Sequence, residues 1–142
     1  MAATFKLEIA TPERELVHET VTEAYVPGEQ GYIGILPGHA PLLSELGAGE
    51  LSYTLASGHK HTVGVYGGFL EIHPNGARVL ARQAEHPNEI DAARAEKALN
   101  RANERVMNPA PGVDIARALN SARRARARLE LMKYAGIGRP PE

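Results

Sequence analysis

Apolar and polar residues alternate along the first part of the chain. Phe5, Leu7 and Ile9 are separated by Lys6 and Glu8, the two-residue period of a half-buried strand. Leu51, Tyr53 and Leu55 repeat the pattern, and Phe69, Leu70 and Ile72 do so less cleanly. Turn residues are dense between these runs, at Pro27-Gly28, Pro37-Gly38, Ser57-Gly58, Gly67-Gly68 and Pro74-Asn75-Gly76. Short strands between closely spaced turns predict an all-β sandwich or barrel. Asn75-Gly76 predicts a tight hairpin, because both residue types tolerate positive φ.

The period changes near Glu85. Asn88 is the expected N-cap of a helix, with Glu89 and Asp91 in its first turn, where carboxylates complement the positive helix end. Ala95, Ala98, Leu99, Ala102 and Val106 follow helical spacing, and Asn108-Pro109-Ala110-Pro111-Gly112 breaks it. Asp114 can cap a second helix, with an apolar stripe of Ile115, Ala118, Leu119, Ala122, Ala125, Leu129 and Met132 that ends before Gly136 and Gly138. A short connection makes the two helices antiparallel neighbours. Stripes rich in Ala bury little area, and at roughly 25 cal/mol per Å² the hairpin should be weakly held to anything, as a movable element requires. The expected fold is therefore α+β in two parts: a β-sandwich over residues 1–85 and a helical hairpin over 86–142. The tail, residues 138–142, is expected to fray.

A chain of 142 residues holds one ordinary domain or two small ones. Hydrophobic residues make up 43%, but aromatics only 5%, so the core should consist mostly of Leu, Ile, Val and Ala. Cysteine is absent, which excludes disulfides and thiol chemistry and fits a cytosolic protein. No run of about 18 apolar residues argues for a membrane span, and no secretory signal is visible. The net charge of -1 conceals an asymmetry: residues 1–84 carry five Lys/Arg against nine Glu, and residues 85–142 carry eleven Lys/Arg against eight Asp/Glu. Such a split suggests two segments with different partners.

Residue types that carry chemistry are present without the spacing that chemistry needs. His59 and His61 are two apart, which on one strand puts them on one side, but two ligands without a nearby carboxylate or thiolate are too few for a metal. Solvated histidines are the plainer reading, for these as for His18, His39, His73 and His86. No serine has a nucleophile-elbow context, and no Gly-rich loop ends in Lys-Ser or Lys-Thr. The chain reads as non-enzymatic. In the loop over residues 28–43, Gly and Pro fix an exposed turn from which Glu29, Tyr32 and His39 can project, and a purely structural turn set is the alternative. The second helix carries Arg117, Arg123, Arg124, Arg126 and Arg128. Arg117, Arg124 and Arg128 share a face beside the Ala stripe. Arg forks suit carboxylates and phosphates, and a solvated basic face is the competing reading. One short basic face, few aromatics and an acidic isoelectric point argue against nucleic acid as a partner.

The segment Pro27-Gly28-Glu29-Gln30-Gly31-Tyr32-Ile33-Gly34-Ile35-Leu36-Pro37-Gly38-His39-Ala40-Pro41-Leu42-Leu43 resembles the signature loop of the epsilon subunits of rotary ATP synthases, most specifically from Gly34 onward. Tyr66-Gly67-Gly68-Phe69-Leu70-Glu71 is similar to the Gly-Gly strand entry of that family. Val79-Leu80-Ala81 before Ala84-Glu85 is similar to the last strand of its sandwich, and Asp91-Ala92-Ala93-Arg94-Ala95 to the opening of its hairpin. The resemblance implies a sandwich of about ten strands followed by two helices. It implies a non-catalytic subunit of a bacterial-type, proton-translocating ATP synthase, peripheral on the cytoplasmic face of the cell membrane. Within the central stalk it would bind the gamma subunit and stand on the c-ring. Its hairpin would reach the alpha and beta subunits when extended and would inhibit ATP hydrolysis.

The resemblance also assigns residues. Glu29, Gly31, Tyr32 and His39 would touch the polar loops of the c-ring. Tyr32 stands where some members have an acidic residue, so that contact would be aromatic and hydrogen-bonding rather than ionic. Arg117, Arg123, Arg124 and Arg128 would grip an acidic segment of the beta subunit. No cofactor is required, but ATP is implied as a regulatory ligand. Ile90-Asp91-Ala92-Ala93-Arg94-Ala95 resembles the motif of epsilon subunits that bind it. Arg101 lies two turns after Arg94 on the same face, Arg124 and Arg128 match the family's other phosphate-facing arginines, and Glu85 matches an acidic residue before the motif. An acid-to-Arg pair in a first turn is equally an ordinary helix stabiliser. Two rivals belong to other classes: a stand-alone β-sandwich ligand-sensing module with a helical lid, and a basic adaptor for anionic polymers.

Overall fold

The computed structural model describes residues 3–136. Seven strands come first: β1 (Phe5–Ala10), β2 (Glu15–Gly28), β3 (Gly31–Ile35), β4 (Leu42–Leu55), β5 (Lys60–His73), β6 (Gly76–Ala81) and β7 (Ala84–Glu85). Successive pairings β1–β6, β6–β5, β5–β4, β4–β2 and β2–β1 close the sheet on itself, and all are antiparallel except β1–β6. Closure gives β1, β2, β4, β5 and β6 a partner on both sides, while among the described residues β3 pairs with β2 alone and β7 with β5 alone. The predicted alternation holds where it was clearest: Leu7 and Ile9 are buried beside Val21, Val26, Leu51, Tyr53, Val65, Leu70 and Val79.

The described residues form seven strands where the family resemblance implied about ten. The difference lies in β2, β4 and β5, each 14 residues long. β2 shifts register between Val21 and Glu23 and again between Tyr25 and Gly28. β5 changes partner midway, pairing β7 at Gly64 and Val65 and β6 from Gly68 onward. Gly67 and Gly68, at φ +79° and +119°, supply the bend between those halves. One long bent strand thus serves where two short ones were expected. The hairpin near Asn75 forms, but His73 pairs with Gly76, so its loop is Pro74-Asn75 rather than Asn75-Gly76. Gly76 answers to close packing as well as to its φ, since a Cβ there would overlap the Lys6 carbonyl of neighbouring β1.

Two helices follow, α1 (Ala92–Met107) and α2 (Ile115–Leu131). Asp114 caps α2 as expected, accepting from the Arg117 backbone N–H at 3.1 Å. The cap of α1 is Asp91, which accepts from the Arg94 N–H at 3.0 Å, and not Asn88. Asn88 instead sits in a short 3-10 turn, Pro87–Glu89, and its Oδ1 accepts from the Gly136 N–H at 2.6 Å. Ile90 breaks the two apart because its side chain is buried and its backbone extended. Ala95, Ala102, Ala118, Ala122 and Ala125 form the buried seam between the helices. Ile115 and Leu119, expected in the stripe, are 45% and 48% exposed. The tail expected to fray lies outside the described residues. Among the described residues, no helix is long and apolar enough to cross a membrane.

Candidate functional site

The hairpin lies against the sandwich through a small apolar contact. Tyr66 of β5, Ile90 of the connection and Leu131 at the end of α2 are buried together, with Ala48, Ala127, Met132 and Tyr134 at the margin. Gly64 makes room for it: a Cβ there would stand 2.6 Å from Leu131 Cδ1 and closer still to the Tyr66 hydroxyl. Beside this cluster, Arg128 donates from Nε to Glu85 Oε1 at 2.9 Å and from Nη2 to Gln83 Oε1 at 3.1 Å. Its guanidinium carbon lies 4.1 Å from the Tyr66 ring centroid. The Tyr66 hydroxyl donates to the same Glu85 oxygen at 2.9 Å. Burial, reinforced by the Glu85 charge, pushes the Tyr66 phenol far above its ordinary range, so it stays a donor.

Further ion pairs tie the edges. Arg14, in the turn between β1 and β2, meets Glu89 of the connection at 2.9 Å. Arg123 of α2 stands 3.7 Å from Glu29, and Lys133 stands 3.8 Å from Glu50. The Tyr134 hydroxyl donates to Glu50 at 3.4 Å. Each pair joins the helical segment or its connection to the sandwich.

Between these contacts opens a cleft of about 1100 Å³. Seven of the residues expected around ATP line it: Glu85, Asp91, Arg94, Ala95, Arg101, Arg124 and Arg128. The eighth, Ile90, is buried in the apolar cluster instead. Asp91 caps α1, and Arg128 is already occupied by Glu85 and Gln83. Arg124 donates to Ser121 Oγ at 3.0 Å. Of the arginines expected to grip a partner, Arg123, Arg124 and Arg128 line the cleft, whereas Arg117 lies exposed outside it. Arg14 and Arg82 also line the cleft and were not foreseen. They lie in turns of the sandwich, outside the helices, and no local pattern marks them.

The signature loop is less free than its sequence suggests. Glu29 faces Arg123. The Tyr32 ring stacks on Tyr25 with centroids 5.1 Å apart. Burial and the nearby Glu50 charge raise the Tyr32 pKa. Tyr32 also lines a second groove of about 400 Å³, whose other wall is Arg126, Ala127 and Glu130 of α2. His39 Nδ1 lies 2.7 Å from the Ala40 carbonyl. Gly31 is exposed at φ +130°. His59 and His61 do not share a strand, because β5 begins at Lys60, and His61 is not the solvated histidine expected: it is half-buried against Tyr53, its partner on β4.

Comparison with known proteins covers residues 4–133 with two adjoining family models. Residues 4–87 match the family described as ATP synthase, delta/epsilon chain, beta-sandwich domain, and residues 88–133 match its long alpha-helix domain. The chain is 55% identical over 129 residues to the ATP synthase epsilon chain of Solibacter usitatus, covering 91% of this chain and 96% of that one. It is 43% identical to the epsilon chain of Moorella thermoacetica, covering 90% of this chain and 96% of the other. Its fold is similar to a chain in the Euglena gracilis mitochondrial ATP synthase (OSCP/F1/c-ring), with TM-score 0.77, 23% identity, and 88% and 79% of the two chains covered. The chain therefore belongs to the delta/epsilon family of ATP synthase chains, with the non-catalytic epsilon chains.

Proposed function

We propose that the chain works in the central stalk of a bacterial-type, proton-translocating ATP synthase, on the cytoplasmic face of the membrane. There it couples the c-ring to the catalytic head, and its hairpin acts as a two-state brake on ATP hydrolysis. The carrying observation is the way the hairpin is held: a small apolar cluster plus exchangeable ion pairs, Arg128–Glu85 at 2.9 Å and Arg123–Glu29 at 3.7 Å. If α2 leaves the sandwich to meet acidic surface on the alpha and beta subunits, Arg123 and Arg128 trade the carboxylates of Glu29 and Glu85 for intermolecular ones, and Arg124, bonded only to Ser121 of its own helix, adds a further contact. Like bonds replace like, so the net difference is small and either pose is accessible.

ATP is the regulatory ligand in this reading. Held in the cleft between the sandwich and the helices that carry Arg94, Arg101 and Arg124, it favours the docked, permissive pose, and its depletion favours the brake. The gamma subunit takes the apolar patch formed by Leu80 and Phe69, paired across β6 and β5, with Leu43 diagonal to them; all three are at least 47% exposed. The turn around Glu29 and Tyr32 faces the c-ring. The test is deletion of residues 86–142 in the assembled complex. ATP hydrolysis should rise with assembly intact, and Arg124→Ala should weaken inhibition. Unchanged hydrolysis across a wide range of ATP concentration would make the hairpin a structural appendage.

A further inference from the structure

The interior of the sandwich holds polar atoms as well as apolar side chains. Tyr53 of β4 and His61 of β5 are direct partners across the ladder, so their side chains share a face. That face is the inner one: Tyr53 is 1% exposed and belongs to the core with Leu51, Val63 and Val65. The two rings lie 5.6 Å apart between centroids, tilted by 39°. The Tyr53 hydroxyl and His61 Nε2 are both shut off from solvent, and among the described residues neither has a hydrogen-bond partner. The partner of Tyr53 on β2 is Ala24, which offers no polar side-chain atom. Burial, with the charge of Glu19, pushes the Tyr53 phenol up to about 12, so it keeps its proton and stays a donor.

A polar atom buried without a partner costs the full free energy of its desolvation. Two such atoms on neighbouring, paired residues call for one common partner. A water fills that role where it finds at least two polar groups. Here the groups are complementary: the phenol O–H donates to the water oxygen, and the water donates to Nε2 of a neutral imidazole protonated at Nδ1. We propose that one internal water molecule is bound between the Tyr53 hydroxyl and His61 Nε2 as a built-in part of the sandwich. It selects the His61 tautomer. It also ties β4 to β5 on their inner face, behind the outer-face residues Glu50, Gly64 and Tyr66 that meet the hairpin. The exposed turn of residues 56–59 joins the two strands at the His61 end and gives the water a route to bulk solvent.

Two measurements on the full chain test the site, at about pH 8, above the ordinary histidine range. Magnetic relaxation dispersion of water oxygen detects long-lived waters and is blind to exchanging hydroxyl protons. The native chain should hold such a water, and Tyr53→Phe should lose it. The ring nitrogen shifts of His61 should report the proton on Nδ1. Chemical denaturation gives the energetic side. Tyr53→Phe deletes one oxygen and no apolar surface, and should lower the folding equilibrium constant about fivefold, the scale of one hydrogen bond. His61→Leu should lower it as well. In the double variant the two losses should be less than multiplicative, because the second change removes an atom that the first has stranded. A native chain without a long-lived water, or with the His61 proton on Nε2, overturns the proposal. So does a Tyr53→Phe chain as stable as the native one or more so, because deleting an orphaned hydroxyl relieves a burial cost and breaks no bond. The native measurements decide even if a variant fails to fold.

Discussion

The guanidinium carbon of Arg128 lies 4.1 Å from the centre of the Tyr66 ring. A residue expected from sequence to face phosphate is thus a fastening between α2 and the sandwich. Its hydrogen bonds to Glu85 and Gln83 occupy the edge of the fork. Arg128→Ala should therefore release the hairpin rather than merely weaken an anion site. With the Arg128 and Glu85 side chains 25% and 22% exposed, the loss should be about 2 kcal/mol of docking free energy. Amide hydrogen exchange should show α2 and the 3-10 turn at Met132 losing protection while β1 to β6 keep theirs. Arg128→Lys should fail to restore it, because an ammonium cannot both stack on Tyr66 and fork to two acceptors. Undiminished protection in Arg128→Ala would reduce this contact to a surface pair.

Gly64 offers a way to release the hairpin without touching it. Its φ is not in the left-handed region, so only space restricts the position. The methyl of Gly64→Ala would strike the Tyr66 hydroxyl and the Leu131 side chain. Those atoms belong to the apolar cluster that joins hairpin and sandwich. The expected cost to docking is about 1–3 kcal/mol, typical of overpacking. Leu131→Ala should cost a comparable amount by leaving a cavity. Limited proteolysis should cut both variants in the connection near residues 86–91 before the native chain. Combining the two changes should partly rescue, because Leu131→Ala removes one of the groups that the Gly64→Ala methyl strikes and the methyl fills part of the cavity left behind. Strict additivity of the two losses would show that they do not share a contact.

The connection carries a pH-dependent fastening. Burial alone would raise the Glu89 pKa. Hydrogen bonds from Arg14 and from the His86 backbone N–H, with the charge of Arg14, more than offset it, and the pKa falls below 4.5. A lowered carboxylate pKa gives stability that is present above the group's ordinary value and is lost as pH falls through the depressed one. Docking should therefore weaken on acidification below the normal Glu range. With Arg14 and Glu89 side chains 44% and 29% exposed, the effect should stay below about 1 kcal/mol and shrink in high salt. Arg14→Gln should remove this part of the acid response. An energy-transfer titration from about pH 7 to about pH 3, with dyes on Ala56→Cys and Ala116→Cys, compares the two chains. Superimposed curves would refute the assignment.

The two-part architecture was legible because period and composition change together at the end of β7. Alternation at Phe5–Ile9 and the Ala spacing of both helices are local signals, and local signals survive into the fold. Asp114 was legible as a cap for the same reason. Asn88 misled because Ile90 needs an extended backbone to bury its side chain against Tyr66 and Leu131, which delays α1 to Asp91. Leu131 was missed because the stripe was extrapolated along the α1 seam. At the end of α2 the buried side turns from α1 to the sandwich, and a different residue fills it. Arg14 and Arg82 could not be found from spacing at all. Their place in the cleft is set by where β1–β2 and β6–β7 turns fall in space.

The rotor orientation yields the last prediction. Gln30 lies at the tip of the two-residue turn between β2 and β3 and is exposed. Phe69 lies in the exposed apolar row with Leu80. Glu29 and Tyr32 are poorer probes than their place in the signature loop suggests, since Glu29 faces Arg123 and Tyr32 lines the groove under α2. Because the chain has no cysteine, Gln30→Cys and Phe69→Cys each introduce one thiol into the assembled complex. Under mild oxidation, Gln30→Cys should crosslink to cysteines in the polar loops of the c subunits, and Phe69→Cys to one in the gamma subunit. Phe69→Cys should also weaken assembly, because truncating a half-exposed aromatic at the centre of an apolar contact typically costs about 2 kcal/mol or more of binding. Gln30→Cys, at a polar rim, should leave assembly unchanged. The reverse assignment, Phe69 to the c subunits and Gln30 to gamma, would turn the sandwich over. Crosslinks from Gln30 only to alpha or beta would remove the turn from the rotor base altogether.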